Sequence, residues 1–434
     1  MNKIKLLALY GAMFVTGTVG PVILSLTPMT DVGTAFAETK TKRVPALREK
    51  VYSQLARAQK LADDGDVQAG LEALDGIKER ASSMNSYEIA MMYNFYGFIY
   101  YNENELDKAI AAFESVVSEE GIPESLRLST TFSLAQLAMA NSDYNKVSKY
   151  LDAWDEINNK PVPESYYILR GQVHYQLKEY AKALSYIDTV ISLSENKGDI
   201  PKENWLVLKR ALHYSMSESK EVVSVLEKMV RLYNKPAYWI QLSGMYGEVG
   251  EEKKQLALFE AADQQGFVKS RSEHMQLAQV YMFNGLSYKA AQVLKRGLAA
   301  EVVENNAKNN AFIAEAFIQA REDEKAIPFF EQASSQTQHG NFDQRLAEVY
   351  INLEMFDEAA DAARSALNKG ELTFEANAYV ALGMAQYNLT NFDASILAFE
   401  QAEKHKKSAR LAKQWIKYVK KEKIHAETLK QTLL

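Results

Sequence analysis

The side chains able to do chemistry are few and scattered. The six histidines, His174, His213, His274, His339, His405 and His425, lie far apart, and no two have the spacing by which a helix offers two imidazoles to one metal ion. Asp63-Asp64-Gly65-Asp66 begins like a calcium loop, in which closely spaced carboxylates surround a hard cation. The Glu that closes such a loop is missing, so the run reads as a turn whose Asp caps the next helix. No H-E-x-x-H, G-x-S-x-G, G-x-G-x-x-G or G-x-x-x-x-G-K-[ST] occurs. Cysteine is absent, which removes thiol nucleophiles, thiolate metal sites and disulfides. The expectation is a chain that is no enzyme and takes no cofactor or metal. Its net charge of −6 excludes general nucleic-acid binding, which needs a basic face. One charged feature is concentrated: Lys404, Lys406, Lys407, Arg410, Lys413, Lys417, Lys420, Lys421 and Lys423. Such a run is either a solvated helix face or a weak contact for anionic surfaces, whether lipid headgroups or an acidic partner.

The elements behind these residues follow a repeat. A small or branched residue followed four places on by a larger apolar one recurs at Ala109/Phe113, Val147/Leu151, Ala183/Ile187, Val222/Leu226, Gln255/Phe259, Ala290/Leu294, Ala326/Phe330, Ala359/Ala363 and Ser395/Phe399. Ahead of each pair lies a second pattern, as in Tyr93, Tyr96, Gly97 and Tyr100, or Tyr379, Leu382 and Gly383. A small residue in the middle of a first helix lets a second helix approach, and an aromatic three places later fills the gap beside the contact. His174 and His213 fall at that aromatic place, so a packed role is expected for both. Asn104, Asn141-Ser142-Asp143, Gly250, Asn284-Gly285 and Thr390-Asn391 mark turns inside units. Pro123, Pro161, Pro163, Pro201 and Pro236 fall between units, whereas Pro328 lies within a second helix, at its first turn or a local kink. Arg48–Arg80 reads as a further unit, with Leu55, Ala56, Ala58 and Leu61 on one face and Val67, Leu71 and Leu74 on another. From Ser408 to Leu434, Leu411, Trp415 and Val419 recur at helical spacing, as in a terminal capping helix.

Over residues 45–404 this pattern resembles the tetratricopeptide repeat family. The resemblance implies an all-α, right-handed superhelix (a solenoid) of about ten helix–turn–helix repeats over residues 45–407, capped by residues 408–434. It also implies a protein-binding role, with an inner groove lined by first-helix residues that point away from the packing face. Carried onto this chain, those places include Asn94, Tyr101, Asn102, Phe132, Gln136, Gln172, Tyr175, Gln176, Tyr214, Gln279 and Met282, with Glu315, Gln344, Glu348 and Asn352 further on. Amides pair with an extended peptide backbone, and Tyr and Met give adaptable apolar contact. Members that capture chaperone C-termini clamp the carboxylate with Lys and Asn, and the near absence of Lys and Arg here argues against that use.

Residues 1–37 read as a cleavable export signal. Lys3 and Lys5 precede the uncharged stretch Leu6–Leu26, and Ala35-Phe36-Ala37 is an A-x-A cleavage site. Residues 38–44 form a short connector. Export without a lipid-bearing Cys points to the periplasm, with anchoring in the inner membrane by residues 6–26 as the alternative. The run Lys42–Tyr52, continuing through Gln54–Gln59, resembles the start of exported repeat proteins found with TonB systems of gamma-proteobacteria. That resemblance implies an accessory component of a TonB–ExbB–ExbD complex for outer-membrane uptake of iron chelates and similar nutrients. Another wall-synthesis or secretion machine, or self-association into an architectural assembly, stays open.

Overall fold

The computed structural model of the chain describes residues 45–433, with side chains through residue 429. The export signal, the anchoring alternative and the connector lie outside the described residues. Among the described residues there are 21 α-helices, one 3-10 turn and no strand. They divide into two compact units, one ending at Tyr233 and the other starting at Asn234.

The first unit holds five helix pairs: α1 (Glu49–Asp63) with α2 (Val67–Lys78), α3 (Ser86–Asn102) with α4 (Leu106–Ser118), α5 (Glu124–Ala140) with α6 (Tyr144–Ile157), α7 (Glu164–Gln176) with α8 (Tyr180–Asn196), and α9 (Glu203–Ser215) with α10 (Ser219–Tyr233). The second holds five more: α11 (Pro236–Glu248) with α12 (Glu252–Gln264), α13 (Arg271–Phe283) with α14 (Ser287–Ala299), α15 (Ala307–Gln319) with α16 (Asp323–Ser335), α17 (Asn341–Asn352) with α18 (Phe356–Lys369), and α19 (Glu375–Asn388) with α20 (Phe392–Glu403). A final helix, α21 (Ala409–Leu433), packs on α20.

Each pair turns through one residue of left-handed backbone: Gly65, Asn104, Ser142, Lys178, Ser217, Gly250, Gly285, Arg321, Glu354 and Thr390. The amide after it reaches back to a carbonyl in the last turn of the first helix, as in Glu105 N to Tyr100 O at 2.8 Å and Glu251 N to Tyr246 O at 2.8 Å. This satisfies carbonyls that the helix end would otherwise leave open. In the first pair Asp66 caps α2, its Oδ1 accepting from Ala69 N at 3.0 Å.

The pairing contact is equally regular. Ala109, Phe113, Ala183, Ile187, Ala290, Leu294, Ala326, Phe330, Ser395 and Phe399 are all buried. A Cβ on Gly97 would sit 2.7 Å from the Phe113 ring, on Gly171 2.5 Å from Ile187, and on Gly383 2.7 Å from Phe399. The glycine of the first helix is thus the space its partner's large side chain fills. Where a serine stands instead it bridges the helices: Ser243 Oγ donates to Gln255 O at 3.0 Å and Ser395 Oγ to Gly383 O at 2.7 Å. Gln255, too large for the small place, is housed by Gly247, where a Cβ would come within 2.4 Å of its amide.

Three expectations shift. In the first pair Gly70, Leu74 and Ile77 are buried while Val67 and Leu71 are half-buried. Gly70 takes the small place, only 2.8 Å from Ala58 O for an added Cβ, and rotates α2 accordingly. Pro328 is the sixth residue of α16, beyond its first turn, and cannot donate to the Glu324 carbonyl. In α21, Val419 is buried as expected, but Leu411 is exposed and Ala412 is buried in its place. Trp415 stacks on Phe399 with ring centroids 5.4 Å apart and planes 10° apart, which sets the rotation of the cap.

The start of the fold hangs on a buried carboxylate. Glu88, fully buried in the first turn of α3, accepts from Arg48 N at 3.1 Å, Arg48 Nε and Nη2 at 2.6 Å each, and Asn85 N at 3.1 Å. The Arg48 hydrogen bonds hold its pKa down at about 2, against the opposing effect of burial. Unfolded, the group titrates near about 4.3. Its folded pKa is therefore the lower one, so its contribution is complete above about pH 5 and is lost as pH falls from about 4.3 through 2. Thermal melts of wild type and Glu88→Gln should differ above pH 5 and converge near pH 2. A gap independent of pH would show that the carboxylate charge is not what holds this contact.

Candidate partner-binding face

The first helices position the candidate residues. About 100° of rotation per residue separates them from the contact residue facing the second helix. Places four after and three before it lie about 40° and 60° away, the next residue about 100°, and the fifth about 140°. Exposure follows this order. The fifth place is exposed in every pair, including Asn102, Gln176, Phe283, Gln319 and Asn352. Asn94, Tyr101, Phe132, Gln136, Gln172, Tyr175 and Met282, from the nearer places, are half-buried, whereas Tyr214 and Gln279 are exposed.

In the first unit, α3, α5, α7 and α9 repeat this arrangement, and stacking of α4 on α5, α6 on α7 and α8 on α9 fixes their order. Asn94, Tyr101 and Asn102 lie on α3, Phe132 and Gln136 on α5, Gln172, Tyr175 and Gln176 on α7, and Tyr214 on α9. Two of the rings are partly committed. Phe132 leans on Trp154 with centroids 5.9 Å apart, and Tyr175 on Tyr180 at 5.8 Å. No Lys or Arg occupies these places on the four helices.

The expected packing of the two histidines is seen. His213 is buried, and its Nδ1 lies 2.7 Å from Glu218 Oε2; His174 is half-buried, with Nδ1 2.6 Å from Glu179 Oε2 and its ring stacked on Tyr186 at 5.5 Å.

The second unit differs. Gln279 and Met282 lie on α13. Gln344 is buried, and its Nε2 donates to Glu348 Oε1 at 3.2 Å, so it is no surface residue. Arg345 grips Glu315 through Nε at 2.7 Å and Nη2 at 2.8 Å and also pairs with Glu348. Sequence reasoning missed Arg345 because it stands one residue off the inward places. Its bonds to Glu315 raise its pKa further, so the charge is permanent and offsets one of the two carboxylate charges. At the last pair, Tyr387 donates to Tyr418 Oη at 3.0 Å and packs on Trp415, so α21 covers that stretch of the face. The bond to Tyr418 and burial push the Tyr387 phenol up to about 12. Among the described residues no cluster of three or more His, Cys, Asp and Glu could hold a metal ion. No helix there is long and apolar enough to cross a membrane.

A family model described as a tetratricopeptide repeat matches residues 90–120, 164–197 and 376–404. Each span falls on one helix pair, α3–α4, α7–α8 or α19–α20, and these are the pairs whose contact residue is glycine. These three pairs are tetratricopeptide repeats. The other helix pairs keep the same spacing around Ala58, Ala135, Arg210, Ser243, Ala278, Ala314 and Ala347. Tetratricopeptide repeats serve as protein-interaction modules, and the coarse role of this chain is that of an interaction adaptor. No curated protein matches it significantly. Among solved structures it is similar to a tetratricopeptide repeat protein from Parabacteroides merdae (16% identity, 67% of this chain and 94% of the other, TM-score 0.35). It is also similar to YrrB, described as having an unusual peptide-binding site (14% identity, 44% and 96%, TM-score 0.35), and to the TPR2AB domain of yeast Sti1 in complex with pHSP90 (14% identity, 59% and 98%, TM-score 0.28).

Proposed function

We propose that the chain is a non-catalytic adaptor of the periplasm that holds an extended segment of a protein partner along the first helices of its N-terminal unit. The observation that carries this reading is the recurrence of amide and aromatic side chains, without Lys or Arg, at the outward places of α3, α5, α7 and α9. Asn102, Gln136, Gln172 and Gln176 each offer a donor and an acceptor, which matches the alternation of an extended backbone and fixes its register. Tyr101, Tyr175 and Tyr214 add apolar area with a hydroxyl at the rim. The exported location rests on Lys3, Lys5, the apolar stretch to Leu26 and the A-x-A site. The resemblance of Lys42–Gln59 to exported TonB-associated proteins supports a finer reading, an accessory role beside TonB–ExbB–ExbD.

Affinity capture from the cell-envelope fraction tests both levels. The double variant Tyr101→Ala/Tyr175→Ala should recover at least about tenfold less partner at an unchanged helical signal, since buried aromatic anchors dominate such contacts. Equal recovery removes this face from the interaction, and a captured set without TonB-system proteins removes the finer reading.

A further inference from the structure

The C-terminal helix presents a second surface, independent of the amide-lined face. Residues 404–434 hold ten Lys and Arg against two Asp and Glu, while the other 403 residues hold 40 against 54. Within α21, Arg410, Lys413, Lys417, Lys420, Lys421 and Ile424 follow steps of three or four residues, apart from the adjacent pair at 420 and 421, and therefore share one helical face. All six are exposed. The opposite face is occupied, with Ala412 and Val419 buried and Trp415 stacked on Phe399. The stripe thus has a fixed orientation and points away from the repeats.

Its cations are largely free. Lys423, off the stripe, pairs with Asp393, and Lys413 reaches Glu403 at 3.6 Å. Among the described residues Arg410, Lys417, Lys420 and Lys421 form no ion pair. One exposed apolar side chain, Ile424, lies among them; Leu411, Tyr418 and Leu429, also exposed on this helix, lie more than about 100° around it from the centre of the stripe. Ile424 is 64% exposed in the midst of the lysines.

We infer that this stripe docks on the anionic headgroup surface of a lipid bilayer. A headgroup layer supplies phosphates to the cations and, just beneath them, an apolar boundary for isolated aliphatic side chains. An acidic polypeptide offers the charge but no general place for Ile424. The acidic remainder of the chain is repelled by the same surface, so this helix alone approaches it. The contact is peripheral, since no described helix can span the bilayer.

The test is co-sedimentation of the whole chain, without residues 1–37, with vesicles of phosphatidylcholine alone or with 30% phosphatidylglycerol, at about 0.1 M salt. Binding is expected only to the mixed vesicles and should weaken as salt rises. The variant Lys417→Ala/Lys420→Ala/Lys421→Ala should lower the partition coefficient about a hundredfold, because each cation near such a surface contributes on the order of 1 kcal/mol. Ile424→Ser should lower it several-fold with the charge intact. Failure to bind the mixed vesicles overturns the inference, as does equal binding by the triple variant. Capture by polyglutamate without vesicle binding also overturns it in favour of an acidic protein partner. A mass above the monomer in light scattering that falls in the triple variant, again without vesicle binding, overturns it in favour of a second copy. Since the variants leave the N-terminal unit untouched, failure here would not disturb the adaptor reading.

Discussion

Phe113→Ala is expected to destabilise the first unit by about 3–5 kcal/mol, the cost of emptying a large aromatic site in a core that relaxes only partly. The ring is 1% exposed, meets Phe98 edge-on at 5.5 Å and presses on Gly97. The reverse change is informative too. Gly97→Ala places a methyl carbon 2.7 Å from that ring and should cost about 1–3 kcal/mol by overpacking. Combining Gly97→Ala with Phe113→Leu should recover part of the loss, because residues in contact do not add independently. Amide hydrogen exchange should place the loss in α3 to α6, since repeats are stabilised mainly by their neighbours. Two single effects that simply sum would show that the ring and the glycine do not meet.

Asp343→Ala should cost the second unit about 3–5 kcal/mol, the range for removing one member of a buried, hydrogen-bonded ion pair. The Asp343 side chain is 6% exposed and holds three groups together. Its Oδ2 accepts from Lys369 Nζ at 2.9 Å, and its Oδ1 from Ser334 Oγ at 2.8 Å and Ser365 Oγ at 2.7 Å. The network ties the start of α17 to the ends of α16 and α18. Gly340, just ahead of α17, donates to Gly370 O at 2.9 Å, and a Cβ there would lie 2.1 Å from the Ala366 carbonyl oxygen. Chemical denaturation of Asp343→Ala, Lys369→Met and the double variant measures the coupling. If Asp343→Ala alone costs under 1 kcal/mol, the network is solvated and the ascribed role is wrong.

The helix pairing was readable because close packing leaves a mark in residue size. Gly97, Ala109 and Phe113 are legible as one contact from their spacing, and the fold buries all three. The three repeats that match the family model are those with glycine at the contact, and Ser243 joins its pair instead through a hydrogen bond to the Gln255 carbonyl. Rotation of the end helices was less legible. Leu411 and Val419 both look suitable for the core, and only the stacking of Trp415 on Phe399 decides between them. On the candidate face Asn102 and Gln176 are exposed, whereas Gln344, which the same spacing puts outward, is buried. Polar partners drawn from other helices, such as those around Arg345, leave no periodic trace.

The fit of Gln255 into the hollow at Gly247 bears on how such a chain can be recombined. An oversized residue on one helix is tolerated because its mate is stripped bare one turn beyond the usual contact. Neither change is acceptable alone: α12 grafted onto another partner would collide, and α11 would be left with a void. The exchangeable module for chimeras, and the smallest piece inherited intact when such arrays lengthen or shorten, is therefore the matched couple and not the single helix.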